Sequence, residues 1–138
     1  MKPYYFKSDL FEIEPGEDQE INLGIYGKSL ALWLSRQLKS NGYEVDIVEE
    51  DWGRCLICSR SPHLLWVGCG NVYDQKLFKD GKVPSAGDVT WQCFVVAEVP
   101  FLKLLFPLLK TSPAKKKLYE DLGAILHNEK RIRIVEDA

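Results

Sequence analysis

YEVDIVEEDWGRCLICS, residues 43–59, is the stretch on which the fold turns. Tyr43, Val45 and Ile47 alternate with Glu44, Asp46 and Val48, the period of a strand with one face buried and one mostly wet. Glu49, Glu50, Asp51, Trp52 and Gly53 follow at once, and Arg54 to Ser59 then makes a short apolar run. A second run, Leu64 to Cys69, comes after Arg60-Ser61-Pro62-His63, so the two runs read as a hairpin. Their apolar residues fall on both faces, which predicts central strands.

Upstream lies the clearest helix. Tyr26, Leu30, Trp33, Leu34 and Leu38 recur at helical spacing, with Lys28, Ser35, Arg36 and Lys39 largely off that stripe and Asn41-Gly42 as the stop. Before it, between Pro3 and Glu14, Leu10, Glu12 and Glu14 set against Phe11 and Ile13 predict a weakly alternating strand, ended by Pro15-Gly16. Downstream, Gly70 to Asp88 reads as a long loop holding a short extra element around Val72 to Leu77, and Val89 to Val99 as a strand closed by Pro100. Phe101 to Leu109 is very apolar and broken by Pro107. Ser112 as N-cap and Pro113 at the first helical position start a second helix whose stripe is Leu118, Leu122, Ile125 and Leu126. Ile132 and Ile134 mark a last strand. The order β-α-β-β-β-β-α-β predicts a single α+β domain over residues 1–138, with a mostly antiparallel sheet of five to six strands and two main helices packed on it.

At 138 residues one core is sufficient, and 46% apolar with 28% charged residues lies outside the disordered range. The N-terminal MKPYYFKSDLFEIEPGEDQE lacks the apolar core and cleavage site of a signal peptide, and no run approaches a transmembrane span, so a cytoplasmic protein without a membrane role is expected. In that setting Cys55, Cys58, Cys69 and Cys93 are expected as reduced thiols. The net charge of −2 hides an asymmetry: residues 1–51 carry 5 basic and 11 acidic groups, whereas the remainder is basic. An isoelectric point near 5.7 lacks the basic footprint of a nucleic-acid binder.

No complete chemical motif stands in the chain. Gly24-Ile25-Tyr26-Gly27-Lys28-Ser29 opens the first helix in the manner of a phosphate loop, yet Asn22 occupies the position of the required first glycine. Cys55 and Cys58 have the spacing of a zinc knuckle, but strand residues three apart point to opposite faces and no second close pair exists, so no metal ligands are assigned. Neither His63 nor His127 has the setting of a catalytic partner to a thiol or serine, and no catalytic residue or cofactor is expected. Lys115, Lys116 and Lys117 sit in the first turn of the second helix, where the macrodipole disfavours cations. They are candidates for holding an anion or an acidic partner.

The helix segment Gly27 to Leu34, then Glu50-Asp51-Trp52-Gly53, then Leu65-Trp66-Val67-Gly68-Cys69-Gly70 resembles a group of small bacterial proteins of unassigned function, over about residues 20–71. The resemblance implies a bacterial, cytoplasmic source and no particular activity. The leading expectation is a non-catalytic interaction domain, by analogy with small immunity domains that neutralise toxins. Its acidic edge of Glu49, Glu50, Asp51 and Trp52 would bind a basic protein partner. Two rivals stand beside it. One is a ligand-binding domain or enzyme with a pocket beside the 70–88 loop, using Tyr73 and Asp74; the other is a homodimer built on Phe101 to Leu109. What divides them is whether Trp52 and the carboxylates face the same way.

Overall fold

Six strands form one antiparallel sheet in the computed structural model, which describes residues 1–61, 63–77, 82–98 and 113–136. In chain order the elements are β1 (Tyr4–Lys7), α1 (Lys28–Ser40), β2 (Asp46–Glu50), β3 (Gly53–Ser59), β4 (Leu64–Asn71), β5 (Trp91–Glu98), α2 (Pro113–Asn128) and β6 (Arg133–Val135). Across the sheet the order is β2-β3-β4-β5-β1-β6, so β1 is inserted between β5 and β6. The α+β class, the antiparallel pairing and the two helices are as the sequence predicts.

Both helices cover the same face. Leu30, Leu34 and Leu38 of α1 and Leu118, Leu122, Ile125 and Leu126 of α2 meet Phe6, Leu56, Leu65, Val67, Cys69, Trp91 and Cys93 from the sheet in one core. Here α1 lies against β3 and β4 and α2 against β5 and β6. Fully burying each of these large side chains contributes about 1.5–3 kcal/mol, which is why the two leucine stripes dictate where the helices dock. Gly123 lets α2 approach β1: a Cβ there would collide with the Tyr4 hydroxyl. Pro113 opens α2 as expected. Ser112, Pro62 and the apolar run Phe101 to Leu109 lie outside the described residues.

Three elements depart from the sequence reading. The first strand is Tyr4–Lys7, and Phe11 enters the core from an irregular segment without pairing. Its alternation was a packing signal without the hydrogen-bond ladder that makes a strand. The second strand begins at Asp46, and all five of its residues are exposed, because β2 is the sheet edge. Tyr43 and Val45 do pack against the core, but before the strand starts. Within the 70–88 stretch β4 continues to Asn71, and short 3-10 turns form at Gln75–Leu77 and Ala86–Asp88. No helix among the described residues is long and apolar enough to cross a membrane.

Candidate functional site: an aromatic and acidic groove on the helix-free face

Strand alternation sorts the acidic segment into two faces. Val48 pairs with Cys55 and Glu49 with Arg54, so Glu49 shares a side with Arg54, and Glu50 lies on the side of Val48 and Cys55. Arg54 is only 3% exposed; its Nη2 contacts Glu20 Oε2 at 3.3 Å and Glu49 Oε1 at 4.0 Å, and its Nη1 is buried without a hydrogen-bond partner. Glu49 is thus turned toward an ion pair at the margin of the core. Asp51 sits in the turn, where its carbonyl accepts a hydrogen bond from Asn22 Nδ2 at 2.8 Å.

Trp52 turns the other way. Its ring stacks on Trp66 with centroids 5.8 Å apart and 25° between planes, and lies 5.3 Å from Phe94; Trp66 and Phe94 meet edge to face at 5.9 Å. Register explains the convergence: Gly68 pairs with Phe94 and Trp66 with Val96, so these side chains rise from the helix-free face of β4 and β5. Gly68 is required because a Cβ would overlap the Phe94 ring. Gly53 is required for a related reason, as a Cβ there would stand 2.6 Å from the Cys69 carbonyl oxygen.

The aromatic cluster forms one wall of a groove of about 300 Å³ lined by Val48, Glu50, Trp52, Cys55, Ile57, Leu64, Trp66 and Glu98. Cys55 and Ile57 make an apolar, nearly inaccessible floor. Glu98 accepts a hydrogen bond from Trp66 Nε1 at 3.3 Å. Burial pushes the Cys55 thiol up to about 11, with the charges of Glu50 and Glu98 adding to the shift and Arg60 opposing it. That thiol therefore senses both carboxylates across the floor. Neutral at physiological pH, it is also a poor nucleophile.

Other candidates from the sequence are committed elsewhere. Lys117 Nζ contacts Asp121 at 2.7 Å and sits 5.3 Å over the Tyr43 ring, while the Tyr43 hydroxyl donates to Asp121 at 2.6 Å. Lys115 is half-buried and Lys116 exposed on the same helix start. A cavity of about 710 Å³ beside this trio is lined by Tyr43, Glu44, Asp46, Cys58, Arg60 and Lys117; Arg60 is paired with Asp46 and Lys117 with Asp121. Tyr73 is exposed, and the Asp74 carboxylate accepts the backbone N–H of Lys76. Cys58, Cys69 and Cys93 pack in the core with thiols raised by burial. His127 holds the Gly123 carbonyl at 2.7 Å.

At the phosphate-loop-like start of α1 the anion is internal. Buried Glu17 accepts the backbone N–H groups of Gly27 at 2.9 Å and Lys28 at 3.4 Å, filling the place a phosphate would take. Asn71 secures the same loop, accepting from the Tyr26 N–H at 2.7 Å and donating to the Gly24 carbonyl at 2.9 Å.

Trp66 and Glu98 of the groove, and Phe94 packed against its indoles, are what sequence reasoning missed. Phe94, Val96 and Glu98 alternate within β5 as one face, and Gly68 inside an apolar run signals a close approach, but their partners are fixed only by the β4–β5 register. Comparison with family models, curated proteins and solved structures finds no match, so the geometry alone carries the functional reading.

Proposed function

We propose that the chain is a non-catalytic interaction domain whose acidic, tryptophan-bearing groove binds a basic protein partner in the cytoplasm. The observation that carries this is the convergence of Glu50 and Glu98 with Trp52 and Trp66 around one groove on the face that no described helix covers. Indole faces beside carboxylates supply what a lysine or arginine side chain seeks: a flat π surface for its stem and head, and a negative charge at short range. The buried floor excludes water from any side chain that lies on it, which strengthens both attractions. Of the four residues first singled out, Glu50 and Trp52 belong to this surface, while Glu49 and Asp51 do not line it. A domain that neutralises a basic effector, as immunity domains do, fits this surface by physical analogy alone.

The test compares two pairs of charge-removing substitutions. Glu50→Gln with Glu98→Gln removes the groove charges and keeps the Trp66 hydrogen-bond acceptor. Glu49→Gln with Asp51→Asn removes the same formal charge beside the groove. Basic proteins retained from lysate by the parent chain should bind the first variant about tenfold more weakly and the second nearly unchanged. Equal retention by parent and both variants would exclude the groove as the binding surface.

A further inference from the structure

We infer that the free edge of β2 is a strand-addition site that takes an extended, basic segment of the partner as an added strand of the sheet. The inference rests on the groove reading above and specifies how the partner is held. Among the described residues strand β2 pairs only with β3, so by the alternation of an antiparallel ladder every second residue of β2 turns its N–H and C=O away from the sheet. All five residues are exposed, and Ile47 and Val48 are each 38% exposed.

Natural sheet edges are generally blunted by lysine, proline, a bulge or a very short strand. Strand β2 carries neither lysine nor proline, runs five residues, and the one register shift nearby lies on the far side of β3, where β3 meets β4. Among the described residues its protection is charge: Asp46 is paired with Arg60 at 3.4 Å and Glu49 stands 4.0 Å from Arg54, which leaves Glu50 as the carboxylate of β2 that a basic strand would answer. That protection is selective. Two antiparallel copies of β2 would bring carboxylates against carboxylates, whereas a basic strand would meet an opposite charge at the same positions. The groove adds a second level of recognition. An added strand alternates its side chains between the two faces, so one set falls beside Val48 and Glu50, next to Trp52, and the other beside Ile47 and Glu49.

The probe is the synthetic peptide Lys-Val-Arg-Val-Lys-Val-Arg, titrated into the full chain while Trp fluorescence and the hydrogen exchange of β2 amides are followed. Two further versions are N-methylated, one at every valine and one at every basic residue. A strand added to β2 uses the N–H groups of only one of its edges, so one methylated version should lose at least about tenfold in affinity and the other retain it. The outward amides of β2 should exchange more slowly with the unmodified peptide bound. Equal binding of all three peptides, without protection of β2, would overturn strand addition while leaving a charge-driven groove intact. If no peptide alters β2, strand addition fails, and the Glu50/Glu98 comparison then decides the groove reading separately. Protection of β2 in the protein alone at rising concentration, together with a dimer mass by light scattering, would make a second copy the occupant and overturn the proposal.

Discussion

Glu17 does at the start of α1 what a Ser or Asp cap usually does from the adjacent position. The residue at that position, Gly27, is in the left-handed region at φ 119° and has no side chain to offer. Glu17 reaches back from ten residues upstream to accept two helix N–H groups and the N–H of Glu14. Replacing it with alanine leaves the buried Gly27 N–H unpaired and takes the partner from the part-buried Lys28 and Glu14 N–H groups, so Glu17→Ala should lose about 1–3 kcal/mol in urea unfolding, and Glu17→Gln should retain part of it. A second residue-scale prediction concerns Asp121. Burial raises its carboxyl, but the hydrogen bonds from Lys117 and Tyr43 outweigh that and hold it below the ordinary range. Its contribution is complete above the unfolded value and disappears as pH falls through the folded one. The stability of the parent chain should therefore drop relative to Asp121→Asn below about pH 4. At the other end, burial and the bond to Asp121 push the Tyr43 hydroxyl up to about 12, so the stability from its neutral form is lost as pH rises from about 10 toward that value.

At the scale of elements, the apolar runs and leucine stripes identify β3, β4, α1 and α2 because burial on a covered face is a strong, local pattern. The edges were harder to read. In β2, Tyr43 and Val45 carry the apolar half of the alternation yet precede the strand, since the sheet edge needs no buried face. The groove was half legible: Trp52 and Glu50 stand in one conspicuous segment, but Trp66, Phe94 and Glu98 join them only through cross-strand register. Gly68 gives a direct check on that register. Gly68→Ala forces the Phe94 ring off β4 and should cost about 1–3 kcal/mol, with a shift in Trp emission as the Trp52–Trp66–Phe94 cluster opens. An unchanged emission spectrum would place Phe94 elsewhere.

For the whole molecule, the two edges of the sheet differ in the charges their strands carry. Asp46, Glu49 and Glu50 lie on one edge of the sheet, while Arg133 of β6, with Lys7 paired to it, lies at the other. A cationic partner approaching from solution is drawn toward the β2 side, so its association rate should fall as salt is raised. Between about 0.01 M and 0.15 M ionic strength the screening length shrinks from about 30 Å to about 8 Å, and stopped-flow fluorescence should record the slowing mainly in association. The place of β1 carries a different consequence, one for the order of events during synthesis. Phe6 must pair with Trp91 on one side and with Ile134 on the other. Strand β1, made before either partner, therefore waits unpaired until β5 has been translated, and it stays an open edge until β6 arrives. On the ribosome the β2–β3–β4 meander can form early, whereas the half of the sheet around β1 closes last.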